Sequence, residues 1–208
     1  MKRANSTEGR GRGRPREFDR SAALERAMEV FWERGYEGAS ITDLTGAMGI
    51  TAPSLYGAFS SKAELYREAL ELYQRTHGSA GVPALVEEPT ARGAITRVLE
   101  EAARAFADPR HPHGCMVSTA VLNCATENQP VARYVAGLRE ASLERLRARF
   151  QRAIAEGELP STTDVEGLAR FYGAILQGMS VQARDGASEE ELRKITSLAL
   201  ACFPGKGE

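Results

Sequence analysis

Residues 40–62 read SITDLTGAMGITAPSLYGAFSSK, and this stretch decides the fold. Its first half has apolar residues at helical spacing, at Ile41, Leu44 and Met48. Ser40 and Asp43 have the spacing of a capping box, in which each side chain satisfies the other's backbone N–H. Gly49 stands where a helix can end in a left-handed residue. The first half is therefore predicted to be a short amphipathic helix that ends in a tight turn.

The second half predicts another short helix directly after this turn. Thr51 is a good N-cap, and Pro53 falls in the first turn, where a missing N–H costs nothing. Leu55 and Phe59 share the inward face. The outward side chains are small or polar: Ala52, Ser54 and Tyr56. A short helix with such an outer face fits the major groove of DNA, so the stretch predicts a helix-turn-helix.

Three motifs carry a resemblance to a known family. They are A-x-x-x-F-x-x-x-G (Ala27, Phe31, Gly35), G-I-T-x-x-x-L-Y-x-x-F (Gly49 to Phe59) and S-K-x-x-L (Ser61, Lys62, Leu65). With these motifs, residues 20–73 resemble the N-terminal DNA-binding domain of the TetR family of bacterial transcription repressors. The resemblance implies a homodimer that binds a two-fold operator. It also implies a small-molecule effector that binds within the C-terminal helices and changes the spacing of the two DNA-binding heads.

Composition limits the other classes of protein. The chain has 208 residues, and its first twenty hold seven basic side chains against three acidic ones. No apolar run is long enough to span a bilayer, and the charged N-terminus is unlike a signal peptide, so we expect a cytoplasmic protein. The three cysteines are expected to be reduced thiols. Because no nucleophile–base pair, Glu-x-x-His pair or phosphate loop is present, the sequence does not predict an enzyme.

Hydrophobic periodicity predicts an all-α protein of about nine helices and no strands. We expect a flexible basic arm over residues 1–17, a helix-turn-helix DNA-binding domain over 18–77, and a helical effector-binding and dimerisation domain over 78–208. One short helix is predicted from Cys115 to about Thr126. Another is expected to be capped by Thr163 and to be buried nearly all round.

Chemistry assigns roles to the DNA-binding candidates. Thr51, Ala52, Pro53 and Ser54 are expected nearest the base edges. Tyr56 and Lys62 are expected to position the protein on phosphates, as are Ser40 and Thr42 at the other helix N-terminus. Arg14 and Arg16 of the arm are expected in the adjoining minor groove. The alternative is that these residues are ordinary caps, a solvated face and a tail that only raises non-specific affinity.

The motif H-x-H-x-C at His111, His113 and Cys115 suggests metal ligands, but polar turn residues explain both histidines without one. We therefore expect neither a metal nor a cofactor. A thiol at a helix N-terminus can be redox-active, so a redox-sensing repressor acting through Cys115 or Cys124 remains an alternative. An architectural or constitutive DNA-binding dimer without an effector is another.

The C-terminal half carries two further predictions. Inward side chains that combine apolar bulk with a polar or polarisable group are candidates for an effector pocket: Phe106, Cys115, Asn123, Tyr172, Gln177 and Met179. The last two helices are candidates for the dimer interface, through Val165, Leu168, Tyr172, Ile175, Leu176, Leu192, Ile195 and Ala199. Packing within one protomer is the alternative for both sets.

Overall fold

The computed structural model describes residues 18–205, which form nine α-helices and no strand. The helices are α1 (Arg20–Gly38), α2 (Ile41–Met48), α3 (Ala52–Phe59), α4 (Lys62–Thr76), α5 (Ala84–Glu87), α6 (Ala91–Phe106), α7 (Gln129–Ala155), α8 (Val165–Arg184) and α9 (Glu189–Ala201). The predicted basic arm, with Arg14 and Arg16, lies outside the described residues. The all-α prediction is confirmed.

Local capping forms the helix-turn-helix as the sequence predicts. The Asp43 N–H donates to Ser40 Oγ and the Ser40 N–H donates to Asp43 Oδ2, each at 3.0 Å. Gly49 ends α2 in the left-handed region, at φ 68°. The Ser54 N–H then donates to Thr51 Oγ1 at 3.4 Å, which caps α3.

The helix predicted from Cys115 to Thr126 is wrong, because this segment forms turns that are held by contacts distant in sequence. The Cys115 N–H donates to Ser180 Oγ at 2.7 Å. Arg139 Nη1 donates to the carbonyls of Val117 and Ala120, at 3.2 and 3.0 Å. These side chains satisfy backbone groups that a helix would otherwise pair internally.

Two smaller corrections concern helix ends. Asp164, not Thr163, caps α8, because its carboxylate accepts the Gly167 N–H at 2.9 Å. The short helix α5 has no counterpart in the sequence-based prediction.

The apolar side chains form two cores, and the first one crosses the predicted domain boundary at residue 77. Helices α1 to α4 supply most of the first core. Met116, Val117 and Ala120 of the turn segment and Val135 of α7 complete it. The second core lies among α5 to α9. Residues of the C-terminal part are thus built into the core that supports the helix-turn-helix.

Among residues 18–205, no helix has both the length and the apolar composition needed to cross a membrane.

Candidate DNA interface and effector cavity

Helix α3 is anchored by two buried side chains and exposes its other face. Leu55 is fully buried and Phe59 is 2% exposed. Tyr56, on the outer face, is 47% exposed. The hydroxyls of Thr51 and Ser54 lie 2.9 Å apart at the N-terminus of α3. The predicted base-contacting end is therefore accessible and carries a hydrogen-bonded hydroxyl pair.

The N-terminus of α2 presents Ser40 and Thr42, both exposed, beside the Asp43 carboxylate. Hydrogen bonds from Ser40 lower the pKa of Asp43, and the nearby Arg34 guanidinium lowers it further. Arg34 Nη1 lies 2.6 Å from Asp43 Oδ1, which joins α1 to α2. This pairing offsets the acidic charge of Asp43 at the surface that is predicted to approach phosphates.

Lys62 begins α4, but its ammonium group packs against α1. Its Nζ lies 4.5 Å from the centroid of the Tyr36 ring, and partial burial lowers the pKa of Lys62. The side chain therefore braces the two helices at the site where the sequence suggests a phosphate contact.

Basic residues are scarce on this surface, since the chain has no lysine or arginine between residues 35 and 61. One arginine that sequence reasoning missed lies beside the turn. A Cβ placed on Gly49 would be 3.6 Å from Nη1 of Arg26. Arg26 lies on the exposed side of α1. In the sequence it cannot be distinguished from any other solvent-exposed arginine of a helix.

A cavity of about 470 Å³ lies at the C-terminal end of α4, enclosed by α6, α7, α8 and the turns around Cys115. Phe106, Cys115 and Gln177 of the predicted pocket residues line it. Three others do not. Asn123 is exposed on a turn, and Tyr172 and Met179 are fully buried in the second core.

Tyr172 is excluded from the cavity by its own hydrogen bond. Its hydroxyl donates to the Ala199 carbonyl at 3.1 Å, which ties α8 to α9. The sequence also missed several cavity residues, of which Tyr73 of α4, His77 directly after α4 and Arg139 of α7 are the most informative. Only the packing of the helices determines which of these side chains face the cavity.

The predicted dimer interface is partly wrong, because several of its residues are buried within one protomer. Tyr172, Leu192 and Ala199 are at most 3% exposed within one protomer, so they cannot face a partner. The remaining predicted residues are partly buried: Val165, Leu168, Ile175, Leu176 and Ile195. The sequence also predicts that α8 is buried nearly all round. Instead, its side chains Phe171 and Val181 are 37% and 45% exposed, and Leu198 of α9 is 73% exposed. An unpaired apolar face therefore runs along these two helices.

The contacts between the DNA-binding helices and the C-terminal part converge on the C-terminal half of α1. Arg184 of α8 donates through Nη1 to the Trp32 carbonyl at 3.0 Å and through Nη2 to the Glu33 carbonyl at 2.7 Å. The ring of His111 stacks on Trp32 at 5.8 Å, and His77 packs on His111 at 4.4 Å. His111 thus belongs to an aromatic cluster. Within the described residues no group of three or more His, Cys, Asp or Glu side chains is placed to hold a metal ion.

Cys115 is partly buried, and its Sγ accepts the Val117 N–H at 3.4 Å. Because no helix begins there, the argument for a reactive thiol at a helix N-terminus no longer holds.

Comparison with known proteins gives matches over nearly the whole chain. The family model described as bacterial regulatory proteins, tetR family, matches residues 23–69. The model described as tetracyclin repressor-like, C-terminal domain, matches residues 91–197.

Individual relatives agree with these matches. The repressor ComR of Escherichia coli is 38% identical over 201 residues, covering 94% of this chain and 93% of ComR. The repressor BdcR of the same organism is 29% identical, with 90% of each chain covered. A cysteine-substituted form of the TetR-family regulator CifR, solved in complex with a 26-base-pair operator duplex, is 44% identical with a TM-score of 0.88. That alignment covers 92% of this chain and 100% of the CifR chain.

These relatives are regulators rather than enzymes, and the family acts as dimers on DNA. The chain therefore belongs to the TetR family and is a helix-turn-helix, DNA-binding transcriptional regulator.

Proposed function

We propose that this protein is a repressor that leaves its two-fold operator when a small molecule fills the cavity beside α4. The observation that carries the proposal is the position of that cavity. Its wall includes Tyr73 and His77, at the C-terminal end of the helix that follows the recognition helix α3. A ligand in this space would therefore act on a helix that belongs to the DNA-binding core.

The first core also transmits movement from the C-terminal part. Tyr73 belongs to the core that includes Leu55 and Phe59 of α3. Two hydrogen bonds hold Trp32 of α1 to the C-terminal part. Arg184 donates to its carbonyl, and its indole N–H donates to the carbonyl of Gly114. A ligand that favours one arrangement of these contacts changes the population of DNA-binding heads at the correct separation. A ligand with equal affinity for both arrangements would change nothing.

The dimer surface in this proposal is the exposed face of α8 and α9. Phe171 and Val181 of α8 bracket Ala174 and Gly178, small residues that permit close approach of a second helix. Two-fold pairing through this face would give the dimer two α3 helices, one from each protomer. In helix-turn-helix dimers such helices lie about 34–36 Å apart, which is one turn of DNA.

Selection from random duplex DNA, followed by sequencing, tests the DNA half of the proposal. We expect an enriched two-fold motif with half-sites about one turn apart. Thr51→Ser keeps the capping oxygen of α3 and removes a methyl group, so it should change the preferred bases. Tyr56→Phe removes a phosphate-bonding hydroxyl and should weaken all sequences evenly. Binding without any enriched motif would overturn the proposal in favour of an architectural DNA-binding protein.

The effector half is tested on the enriched operator by screening small molecules for release of the complex. A compound that dissociates the complex should also raise the midpoint of thermal unfolding of the DNA-free protein, because it binds the folded state. If compounds that occupy the cavity leave operator affinity unchanged, the cavity does not control DNA binding.

A further inference from the structure

Arg139 of α7 is a half-buried arginine on the wall of the cavity. Burial lowers its pKa, an effect that the nearby Tyr66 hydroxyl opposes, and among residues 18–205 no carboxylate forms an ion pair with it. By contrast, Arg147 on the same helix contacts three glutamates, Glu140, Glu144 and Glu166. Arg139 thus retains an unbalanced positive charge where solvation is reduced, which is costly without a counter-ion.

The hydrogen bonds of Arg139 leave one side of its guanidinium free. Nη1 donates to the carbonyls of Val117 and Ala120, which fixes the plane of the group. Nε and Nη2 make no hydrogen bond with a described residue. These two nitrogens form the edge that binds a carboxylate through two parallel hydrogen bonds.

The charges around the cavity favour an anion. Three arginines line it, Arg75, Arg139 and Arg145, against one acidic residue, Glu71. Arg75 and Arg145 are exposed, so they lie on the solvent side of the opening while Arg139 is held within the wall. A cleft lined by one sign of charge raises the local concentration of ligands of the opposite sign.

The remaining wall is largely apolar, with Val98, Ala102, Phe106, Leu143, Leu146 and Leu176 along α6, α7 and α8. The volume of about 470 Å³ falls in the range of small-molecule sites. An occupant therefore needs an apolar body as well as a charged group.

We propose that the cavity binds an amphipathic organic carboxylate, with its carboxylate on Nε and Nη2 of Arg139 and its apolar body against α6 and α8. This rests on the proposed function, which makes the cavity the effector site. Because Arg139 also holds the turn segment, and Val117 and Ala120 of that segment pack in the first core, a carboxylate at this arginine acts on the support of the DNA-binding helices.

Matched ligands on the wild-type protein test the charge requirement without any variant. Titration calorimetry is done with octanoate, octanamide and octyl phosphate, which share one apolar chain. We expect octanoate to bind at least about tenfold more tightly than octanamide, since a hydrogen-bonded ion pair is lost in the amide. Equal binding of the two, no binding of octanoate, or tighter binding of octyl phosphate would each overturn the proposal.

A variant assigns the effect to Arg139. Arg139→Gln should bring the octanoate and octanamide affinities to within about twofold of each other, because the bidentate charged contact accounts for the difference. The control is Arg133→Gln, which removes an exposed arginine of α7 outside the cavity and should keep the preference. Should Arg139→Gln fail to fold, the ligand comparison in the wild-type protein still decides. An unchanged preference in a folded Arg139→Gln would overturn the assignment.

Operator DNA separates this inference from the proposed function. Octanoate should release the complex at concentrations that saturate the cavity. If the protein selects a two-fold operator but no octanoate binds, the carboxylate inference fails and the repressor proposal stands. If no operator is selected, the repressor proposal itself fails. Binding of octanoate that leaves the complex intact would overturn its role as an effector.

Discussion

The indole N–H of Trp32 donates to the carbonyl oxygen of Gly114 at 3.1 Å, across 82 positions of the chain. Trp32 is buried at the end of α1, and Gly114 adopts a left-handed φ of 76° against α8. A Cβ on Gly114 would lie only 2.6 Å from the Ser180 carbonyl oxygen, so only glycine fits this approach. The bond thus joins the DNA-binding helices to the segment that borders the cavity.

Trp32→Phe should lower the free energy of unfolding by about 2 kcal/mol, since it leaves the Gly114 carbonyl unpaired and opens space in the core. Urea denaturation followed by circular dichroism measures this loss. Tyr56→Phe is the control, because it also removes one polar group but from an exposed ring. Equal stability of Trp32→Phe and the wild type would show that the hydrogen bond contributes nothing.

Glu158→Gln should destabilise the second core by about 3 kcal/mol or more, because Arg149 would keep a buried charge without its partner. Arg149 is 2% exposed, and its Nη2 lies 3.3 Å from Glu158 Oε1. The other carboxylate oxygen accepts the Ala91 N–H at the start of α6.

Thermal and urea unfolding of two further variants provide the controls for this pair. Glu190→Gln breaks an exposed pair with Lys194 on α9 and should have little effect. Adding Arg149→Met to Glu158→Gln should recover part of the stability, since the unpaired charge is then gone. A double variant no more stable than Glu158→Gln would contradict this account.

Acidification should destabilise the protein through His77. Burial lowers the pKa of His77, and the neighbouring His111 lowers it further, while Glu29 and Asp108 oppose the shift. The unfolded chain therefore binds more protons than the folded one as the pH falls through the ordinary histidine range, so stability rises with pH there.

The midpoint of thermal unfolding should thus fall between about pH 7.5 and about pH 5.5. The fall should be smaller in His77→Gln. His113→Gln, which changes a histidine outside the aromatic cluster, should behave like the wild type. An identical pH dependence in His77→Gln would exclude His77 as its source.

Val181→Asp should raise the dissociation constant of the dimer at least about 100-fold, because it places an unpaired carboxylate in an apolar interface. Sedimentation velocity over a dilution series measures this change. Val86→Asp introduces the same charge on α5, at a side chain that is 75% exposed, and should leave the dimer intact. If both variants remain dimeric, the α8 face is not the interface.

Replacing Arg14 and Arg16 with glutamine should reduce the salt dependence of operator binding. The helix-turn-helix itself supplies almost no basic side chains, so these arginines are expected to add charged contacts to the phosphates. With four arginines removed per dimer, the slope of log K against log salt should fall by up to about 3 to 4. Lys194→Gln on α9, which pairs with Glu190, serves as the control. An unaltered slope would mean that these arginines do not displace counter-ions from DNA.

The sequence by itself determined the helix-turn-helix, because its signals act over three or four residues. Ser40 and Asp43, Gly49, and Thr51 and Ser54 each satisfy or end a helix through their nearest neighbours. No distant contact is needed to read them. The family resemblance and the all-α class rest on the same local signals.

Only the tertiary structure decided the cavity, the bridging contacts and the available dimer face. The sequence predicts a helix from Cys115 to Thr126. This segment folds as turns, because Arg139 and Ser180 form hydrogen bonds with its backbone groups. The sequence predicts that Tyr172 lines the pocket and the dimer interface. In the structure it is buried, and its hydroxyl donates to the Ala199 carbonyl. A helix shows the periodicity of an apolar face in its sequence, whereas the partner of that face depends on how distant helices pack.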